Sequence, residues 1–415
     1  MALTIDQLDL TDLEFFLNGD MYEAFRLLRE EAPVHWQERQ PGRGFWSLTR
    51  FDNVLAAYRD PQTFSSAGGV TLYFGEQQNG QSAMDRMMIL TDPPRHPPLR
   101  QTLSRRFTPR AVAPYESRIR VIARTIVDSV IERGECDFVV DIAAKLPTAA
   151  ICEMMGIGRE HWDLMFVIAN ETIGRHDEEY ARGRSGRETL MAANARAAEF
   201  LVEEAEKRRT HPGDDLISAL VHGTAAGQPL TRAEIIANAY LLILGGQETT
   251  RNATSGAMLA MIQNPAERAK FTANPNAPAA LEEFLRWTSP VTHIMRTATR
   301  DTEIGGHRIR RGDRVVLWNA AANRDERQFP APDRFDVTRT PNDHIAFGHG
   351  EHFCLGANLA RLEMRVIFDE ITRRMPDIEL AGPVEKLRSN FVAGIKHMPV
   401  RFTPRAAADT RVAAG

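Results

Sequence analysis

A cysteine lies in a glycine-rich segment directly before a predicted helix. Residues 347–356 read FGHGEHFCLG, and Cys354 stands two residues before Gly356. Unpaired backbone N–H groups and the positive end of a helix dipole favour an anion there, which lowers the pKa of a thiol. Three interpretations are open: a structural cysteine, a zinc site shared with nearby histidines, and a haem-thiolate ligand. The spacing of His344, His349, His352 and Cys354 fits no common zinc pattern, which disfavours the second.

A second polar cluster interrupts an apolar segment. Gly245 and Gly246 follow the sequence AYLLIL, and Glu248 and Thr249 come directly after them. A buried carboxylate without partners is costly, so the glutamate indicates more than a tolerated irregularity. The missing side chains would open a groove along the helix for a small diatomic ligand. The Thr249 hydroxyl would bond a backbone carbonyl at this point.

The elements that position these residues are mostly helices. Thr231 and Glu234 form a capping box and Pro265 follows, so we predict one helix of about 33 residues with the glycines near its middle. Two strands are predicted around residues 41–44, and a second β region over residues 299–319. The last long helix begins near residue 356. The predicted fold class is therefore mainly α with a smaller β part, in one large domain.

Composition excludes several functional classes. The chain has 415 residues, a formal charge of −4 and 43% apolar residues, which disfavours nucleic acid as a partner. No segment has the pattern of a signal peptide or a membrane span, so we expect a cytoplasmic protein without a membrane anchor. Cys136 and Cys152 are expected to be small buried residues in a reducing compartment.

The cysteine segment is similar to the haem-binding signature of the cytochrome P450 family, F-G-x-G-x-H-x-C-x-G, without a mismatch. The resemblance implies that Cys354 is the axial thiolate of haem b (iron protoporphyrin IX). It further implies that His352 is a partner of a haem propionate, that Phe347 packs near the sulfur, and that Gly348 belongs to the haem-binding turn. The implied fold is the single, triangular P450 domain over residues 1–405, followed by a flexible tail at residues 406–415.

The segment GGQETT is similar to the family's oxygen-activation segment. The resemblance implies that Glu248 and Thr249 form an acid–alcohol pair, which supplies protons to a dry pocket, with Gly245 and Gly246 beside the haem. Many members have alanine where this chain has Gly245, so a slightly wider groove is expected.

Further motifs occur in the order that the family has. Glu283, Arg286 and Arg334 resemble the family's structural Glu-Arg-Arg cluster, which braces the cysteine turn. Arg296 resembles the arginine that pairs with a haem propionate through its two-pronged guanidinium. His96 and Arg100 resemble the family's propionate-binding pair. Prolines 97 and 98 depart from the usual residues there, although proline is tolerated in a first helical turn.

The resemblance implies a monooxygenase that uses O2 and two electrons to hydroxylate or epoxidise a mid-sized apolar metabolite, in secondary metabolism. Electrons would come from a separate ferredoxin or flavodoxin with its reductase, which docks beneath Cys354. Arginines proposed for that face are Arg105, Arg106, Arg110, Arg361 and Arg365. The alternatives are a haem-thiolate oxidase that couples or desaturates, including on a substrate held by a carrier protein, and a non-catalytic haem sensor.

Substrate recognition is assigned to apolar residues near the expected haem, although core packing would explain many of the same residues. The predicted pocket walls are Leu72, Tyr73, Phe74, Met88, Ile243, Val291, Ile294 and Val392.

Overall fold

The computed structural model describes residues 3–40, 42–72, 86–275 and 277–407. Within these residues the fold is mainly helical, as predicted. The helices are α1 Leu13–Asn18, α2 Met21–Glu31, α3 Phe51–Arg59, α4 His96–Ser104, α5 Pro109–Val112, α6 Glu116–Ile131, α7 Lys145–Met155, α8 Trp162–Ile173, α9 Glu178–Ala181, α10 Gly186–Thr210, α11 Leu216–Val221, α12 Arg232–Gln263, α13 Pro265–Ala273, α14 Pro278–Thr288, α15 Asn319–Ala322 and α16 Ala357–Arg374.

The strands belong to several small sheets. They are β1 Val34–Gln40, β2 Arg43–Leu48, β3 Phe64–Ser65, β4 Glu135–Asp137, β5 Thr224–Ala225, β6 Gln228–Pro229, β7 Ile294–Ala298, β8 Thr302–Ile304, β9 His307–Ile309, β10 Arg314–Leu317, β11 Glu379–Leu380, β12 Glu385–Lys386, β13 Ile395–His397 and β14 Pro399–Arg401. The largest sheet has the order β1-β2-β10-β7-β3, with β10 parallel to β2 and antiparallel to β7. The predicted hairpin β1–β2 is confirmed.

The long helix α12 runs through the middle of the helical part. Its predicted capping box is confirmed: Thr231 Oγ1 accepts from the Glu234 backbone N–H, and the Glu234 carboxylate accepts from the Thr231 backbone N–H at 2.9 Å. The helix contacts α7, α8, α10, α14 and α16, so it is buried on nearly all sides. Gly245 and Gly246 do not interrupt α12, because the backbone stays α-helical through both residues. Among the described residues, no helix is long and apolar enough to cross a membrane.

A buried cluster around Glu283 holds the chain that leads to the cysteine turn. Both Glu283 oxygens accept hydrogen bonds from Arg286, at 2.7 and 2.8 Å, and neither side chain is exposed. Arg286 also donates to the backbone oxygens of Asn323 and Pro332. The cluster therefore fixes the irregular segment before the turn to α14, which is the bracing role implied for Glu283 and Arg286.

The prediction that Arg334 is the third member of this cluster is wrong. Arg334 is largely exposed and pairs with Asp336. Arg339 occupies the place instead: its Nε donates to Glu283 at 3.1 Å, and its side chain is buried. The guanidinium of Arg339 also donates to three backbone oxygens of residues 330–334. The chain between α15 and the cysteine turn thus folds back so that Arg339, and not Arg334, points toward Glu283.

This correction gives a prediction with a matched control. Replacing Arg339 with Met should lower the free energy of unfolding by about 3 kcal/mol, because it removes one partner of a buried ion pair. Replacing the exposed Arg334 with Met should change it by less than about 0.5 kcal/mol. Chemical denaturation of the two variants measures both values. Equal losses would contradict the assignment of Arg339.

Candidate active site

A cavity separates α12 from the cysteine turn. Its α12 side includes Gly245 and Thr249, and its opposite side includes Phe347 and Cys354. Most of the remaining lining residues are apolar. The side chains that the sequence singled out from distant segments, on α4, α12, β7 and the cysteine turn, therefore border one space.

The cysteine turn is held by its own backbone and by α3. The Cys354 N–H donates to the Phe347 carbonyl at 2.9 Å, which closes the turn. Gly348 and Gly350 have positive φ, +69° and +70°, which side chains rarely adopt. A Cβ at Gly350 would lie 2.7 Å from the Tyr58 carbonyl oxygen. The turn therefore needs glycine at this position for close contact with α3.

Cys354 is partly exposed and borders the cavity, and desolvation by the surrounding chain raises the pKa of its thiol above the ordinary value. The Gly356 backbone N–H and the positive charges of Arg100 and Arg361 act in the opposite direction but do not outweigh this desolvation. The backbone N–H at the helix start therefore acts in the predicted direction, but it does not set the net shift. A metal cation bound to Cys354 would favour the thiolate, because coordination deprotonates a thiol.

Four basic side chains meet at one edge of the cavity: His96, Arg100, Arg296 and His352. The His96 and His352 rings stack with centroids 4.1 Å apart. Burial, reinforced by Arg100, lowers the pKa of His96 to about 4. Burial and the nearby Arg296 likewise depress the pKa of His352. Both imidazoles are therefore neutral near pH 7 and can donate one N–H each.

Among the described residues, Arg100, Arg296 and His352 form no ion pair with a carboxylate. Both His96 ring nitrogens are buried without a hydrogen bond, and the Glu351 carboxylate approaches His96 only to 4.0 Å. Arg100 donates to the Phe353 carbonyl at 2.6 Å, and the buried Arg296 donates to the Met295 carbonyl at 2.9 Å. Buried arginines usually pair with carboxylates or phosphates. The edge thus fits the carboxylates of haem, while the thiol fits its iron.

Only one member of the implied acid–alcohol pair reaches the cavity. Thr249 lines it, and its Oγ1 donates to the Gly245 carbonyl at 3.0 Å, as the sequence predicts. Glu248 is buried behind the helix, where it pairs with Arg251. Arg251 in turn donates to Asn170 of α8 at 2.6 Å. Burial raises the pKa of Glu248, and Arg251 opposes the rise.

The two glycines of α12 have different surroundings. A Cβ at Gly245 would meet no atom within 4 Å, so this position borders open cavity. A Cβ at Gly246 would lie 2.7 Å from the Ile151 side chain of α7. Gly245 therefore widens the cavity as expected, whereas Gly246 also lets α7 and α12 pack closely.

The predicted substrate residues divide into three groups. Met88, Val291 and Ile294 line the cavity. Leu72, Ile243 and Val392 are buried elsewhere: Leu72 packs near Trp318 in another part of the core, Ile243 faces the helical core, and Val392 pairs with Val291 in a β-bridge. None of these three residues lines the cavity, although the bridge partner of Val392, Val291, does. Tyr73 and Phe74 lie outside the described residues.

Several lining residues were missed at the sequence level. Leu241 and Leu242 of α12 line the cavity, and they precede Gly245 by four and three residues, respectively. The helical period that places Gly245 and Thr249 on one face would have selected them over Ile243. Tyr58 also lines the cavity, donates to Asn319 at 2.9 Å and lies under the Arg296 guanidinium. No local sequence pattern predicts that Tyr58 lines the cavity.

Comparisons with known proteins agree with this architecture. The family model for cytochrome P450 matches residues 148–375. The chain is 39% identical to a methyl-branched lipid omega-hydroxylase of Mycobacterium tuberculosis, over 96% of this chain and 95% of the relative. It is 34% identical to linalool 8-monooxygenase of Pseudomonas putida, over 96% and 99%. A Mycobacterium marinum cytochrome P450 in complex with pseudoionone superposes with a TM-score of 0.90, at 34% identity, covering 96% of this chain and 99% of that one.

In this chain a cysteine turn faces a long helix across an apolar cavity, within a mainly helical domain. This is the architecture of a haem-thiolate enzyme. The chain belongs to the cytochrome P450 family. It is a haem-binding monooxygenase that hydroxylates a small molecule with O2 and electrons from redox proteins.

The basic edge gives a prediction on haem retention. Replacing Arg296 with Met should weaken haem binding by about tenfold to a hundredfold, because a charge-assisted hydrogen bond contributes about 1.5–3 kcal/mol. Replacing Arg300 with Met should have no effect, since that side chain is exposed and pairs with Asp60. Haem transfer from the holoenzyme to apomyoglobin measures the loss. Equal transfer rates for the two variants would remove Arg296 from the haem site.

Proposed function

We propose that this protein is a P450 monooxygenase that hydroxylates or epoxidises a mid-sized apolar substrate, with haem b bound through Cys354. The observation that carries the proposal is the position of Thr249 and Cys354 on opposite sides of one largely apolar cavity with a basic edge. The domain proposed to carry this function spans residues 1–405. Residues 408–415 of the proposed tail lie outside the described residues.

The residues that would hold the haem are Cys354 on the iron and His96, Arg100, Arg296 and His352 on the propionates. Haem held by the thiolate of Cys354 would supply the chemistry of O2 binding and O–O bond cleavage. Phe347 packs under the Arg361 guanidinium, with 4.6 Å between that group and the ring centroid. This contact keeps the aromatic ring beside the turn that carries the sulfur.

Thr249 is proposed to hold a proton at its Oγ1 on the cavity surface. Its hydrogen bond to the Gly245 carbonyl fixes the hydroxyl's orientation. Glu248 is proposed to replenish protons from behind the helix. For this the carboxylate must leave Arg251 and rotate, since it does not line the cavity in this conformation. The hydrogen bond from Arg251 to Asn170 would then keep the Arg251 guanidinium in its position.

The substrate is proposed to be apolar because Met88, Leu241, Val291 and Ile294 form the cavity wall near Thr249. The printed names of the relatives, a methyl-branched lipid hydroxylase and a linalool monooxygenase, agree with aliphatic substrates. Apolar walls orient such a substrate by shape and exclude water from the reacting centre.

The redox partner is proposed to be a ferredoxin or flavodoxin that docks beneath Cys354. Arg105 and Arg110 are exposed and form no ion pair with the described residues. The other three arginines proposed for this face have acidic partners within the chain: Arg106 pairs with Asp214, Arg361 with Glu282 and Arg365 with Glu116. Arg105 and Arg110 are therefore the stronger candidates for an acidic partner.

Replacing Cys354 with Ser tests the axial ligand. The variant should lose the ferrous-carbonyl absorption that is typical of thiolate-bound haem, because an alcohol oxygen is a far weaker donor than a thiolate. The measurement is the carbon monoxide difference spectrum of the reduced holoenzyme, with Cys136→Ser as the control. A variant spectrum identical to that of the wild type would refute the assignment.

Replacing Thr249 with Ala tests the proton-holding hydroxyl. The fraction of electrons that appear in product should fall by about tenfold, with a matching increase in hydrogen peroxide. Thr249→Ser retains the hydroxyl and should preserve most of the coupling. Product and peroxide formed per electron donor consumed give the two fractions. Wild-type coupling in the alanine variant would exclude Thr249 from proton delivery.

A further inference from the structure

One buried amide of α12 binds the backbone of a neighbouring segment, and it has no role in the mechanism above. Asn238 is fully buried. Its Oδ1 accepts from the Met88 backbone N–H at 2.7 Å, and its Nδ2 donates to the Arg86 carbonyl at 3.2 Å. Nδ2 also donates to the Glu234 carbonyl of α12 at 2.8 Å. The side chain therefore ties residues 86–88 to the helix through one acceptor and one donor.

These hydrogen bonds require an amide. Nδ2 lies against two carbonyl oxygens, so the second oxygen of an ionised aspartate would face two acceptors there without a proton to share. The Met88 N–H begins the short 3₁₀ helix Met88–Leu90, and the first N–H of a helix has no partner within that helix. Asn238 supplies the partner. An apolar side chain at residue 238 would leave the buried Met88 N–H unsatisfied, which native proteins rarely do.

The residues that Asn238 holds belong to the wall of the cavity. Met88 and Ile89, here termed the Met88 wall, line it, and so do Leu241 and Leu242 of α12. Asn238 does not line the cavity itself. It precedes the two leucines by three and four residues, so one face of α12 carries them and the amide. The position of the Met88 wall relative to these leucines thus depends on hydrogen bonds made one helical turn away.

A second contact of α12 holds the far end of the same segment. Glu234 lies four residues before Asn238 and accepts from the Arg95 Nε at 3.1 Å. Arg95 directly precedes α4 and is partly exposed. Among the described residues, the hydrogen bonds from residues 86–90 to another element of the fold are those to Asn238. The ion pair at residue 95 therefore does not replace the amide as the anchor of Met88.

We propose that Asn238 is a positioning residue that holds the Met88 wall against α12 and so determines which apolar molecules the cavity accepts. The wall would touch the substrate, whereas Asn238 acts through the backbone that carries the wall. Methionine and isoleucine side chains select a ligand by shape, so their position decides the fit. The anchoring stands without the proposed function, and only the effect on substrate choice rests on it.

Amide hydrogen exchange of the holoenzyme tests the anchor without turnover. The Met88 N–H should be protected in the wild type, and Asn238→Leu should raise its exchange rate by about tenfold, the loss expected from one net hydrogen bond. Asn264→Leu is the control, because it removes an amide hydrogen bond to Ala260 at the other end of α12. It should leave the Met88 rate unchanged. An unprotected Met88 N–H in the wild type, or an unchanged rate in Asn238→Leu, would overturn the proposal.

Spectral titration of the holoenzyme with two azoles tests the effect on ligand choice. Both 1-methylimidazole and 1-decylimidazole bind haem iron through nitrogen, but only the decyl chain extends along the cavity walls. Asn238→Leu should lower the ratio of the decyl to the methyl affinity by roughly fourfold, the effect of leaving one methylene group unburied. A general loss of stability would weaken both azoles alike, and Asn264→Leu should keep the wild-type ratio. An unchanged ratio in Asn238→Leu would refute the role in ligand choice.

The exchange measurement also separates this inference from the proposed function. Should Cys354→Ser keep the thiolate spectrum, the proposed function fails, yet the Met88 exchange rate still decides whether Asn238 holds the wall. Should Asn238→Leu fail to fold, Asn238→Ala removes the same amide without adding bulk and takes its place in both measurements.

Discussion

The desolvation of the Cys354 thiol at the edge of the cavity is the constraint on which the rest of the site depends. The surrounding chain disfavours its anion, and neither the Gly356 N–H nor the arginines reverse this effect. At the same cavity, the buried guanidinium of Arg296 forms no ion pair among the described residues. The apoprotein thus has two unmet electrostatic requirements of opposite sign. A haem bound as we propose would meet both, with its iron at the sulfur and a propionate at Arg296.

Helix α12 separates the cavity from the buried ion pair of Glu248 and Arg251. Thr249 faces the cavity, while the next residue toward the N-terminus, Glu248, is held behind the helix by Arg251. Consecutive helical residues point in directions about 100° apart, so adjacent positions reach different environments. The link from Arg251 to Asn170 extends this arrangement to α8. A movement of α8 would therefore alter the charge next to Glu248 without touching the haem side.

Local signals in the sequence predicted most of the fold and the centre of the site. The capping box of α12, the turn between β1 and β2 and the start of α16 depend on nearby residues, and all three are confirmed. Arg334 failed as a prediction because spacing does not say which arginine of an irregular segment turns inward. Leu72 and Val392 were wrongly predicted to line the cavity, because their positions depend on contacts between distant parts of the chain. Ile243 was wrongly predicted because local sequence does not say which face of α12 points to the cavity.

The adjacent glycines of α12 have unequal freedom to change during evolution. At residue 246 even one methyl group would collide with Ile151, so the close approach of two helices forbids variation. At residue 245 the same methyl group would project into open space above the threonine and disturb no neighbour. A methyl group could therefore be added at residue 245, where it would change the shape of the cavity beside Thr249. Such a change in cavity shape would leave the packing of α7 against α12 at residue 246 untouched.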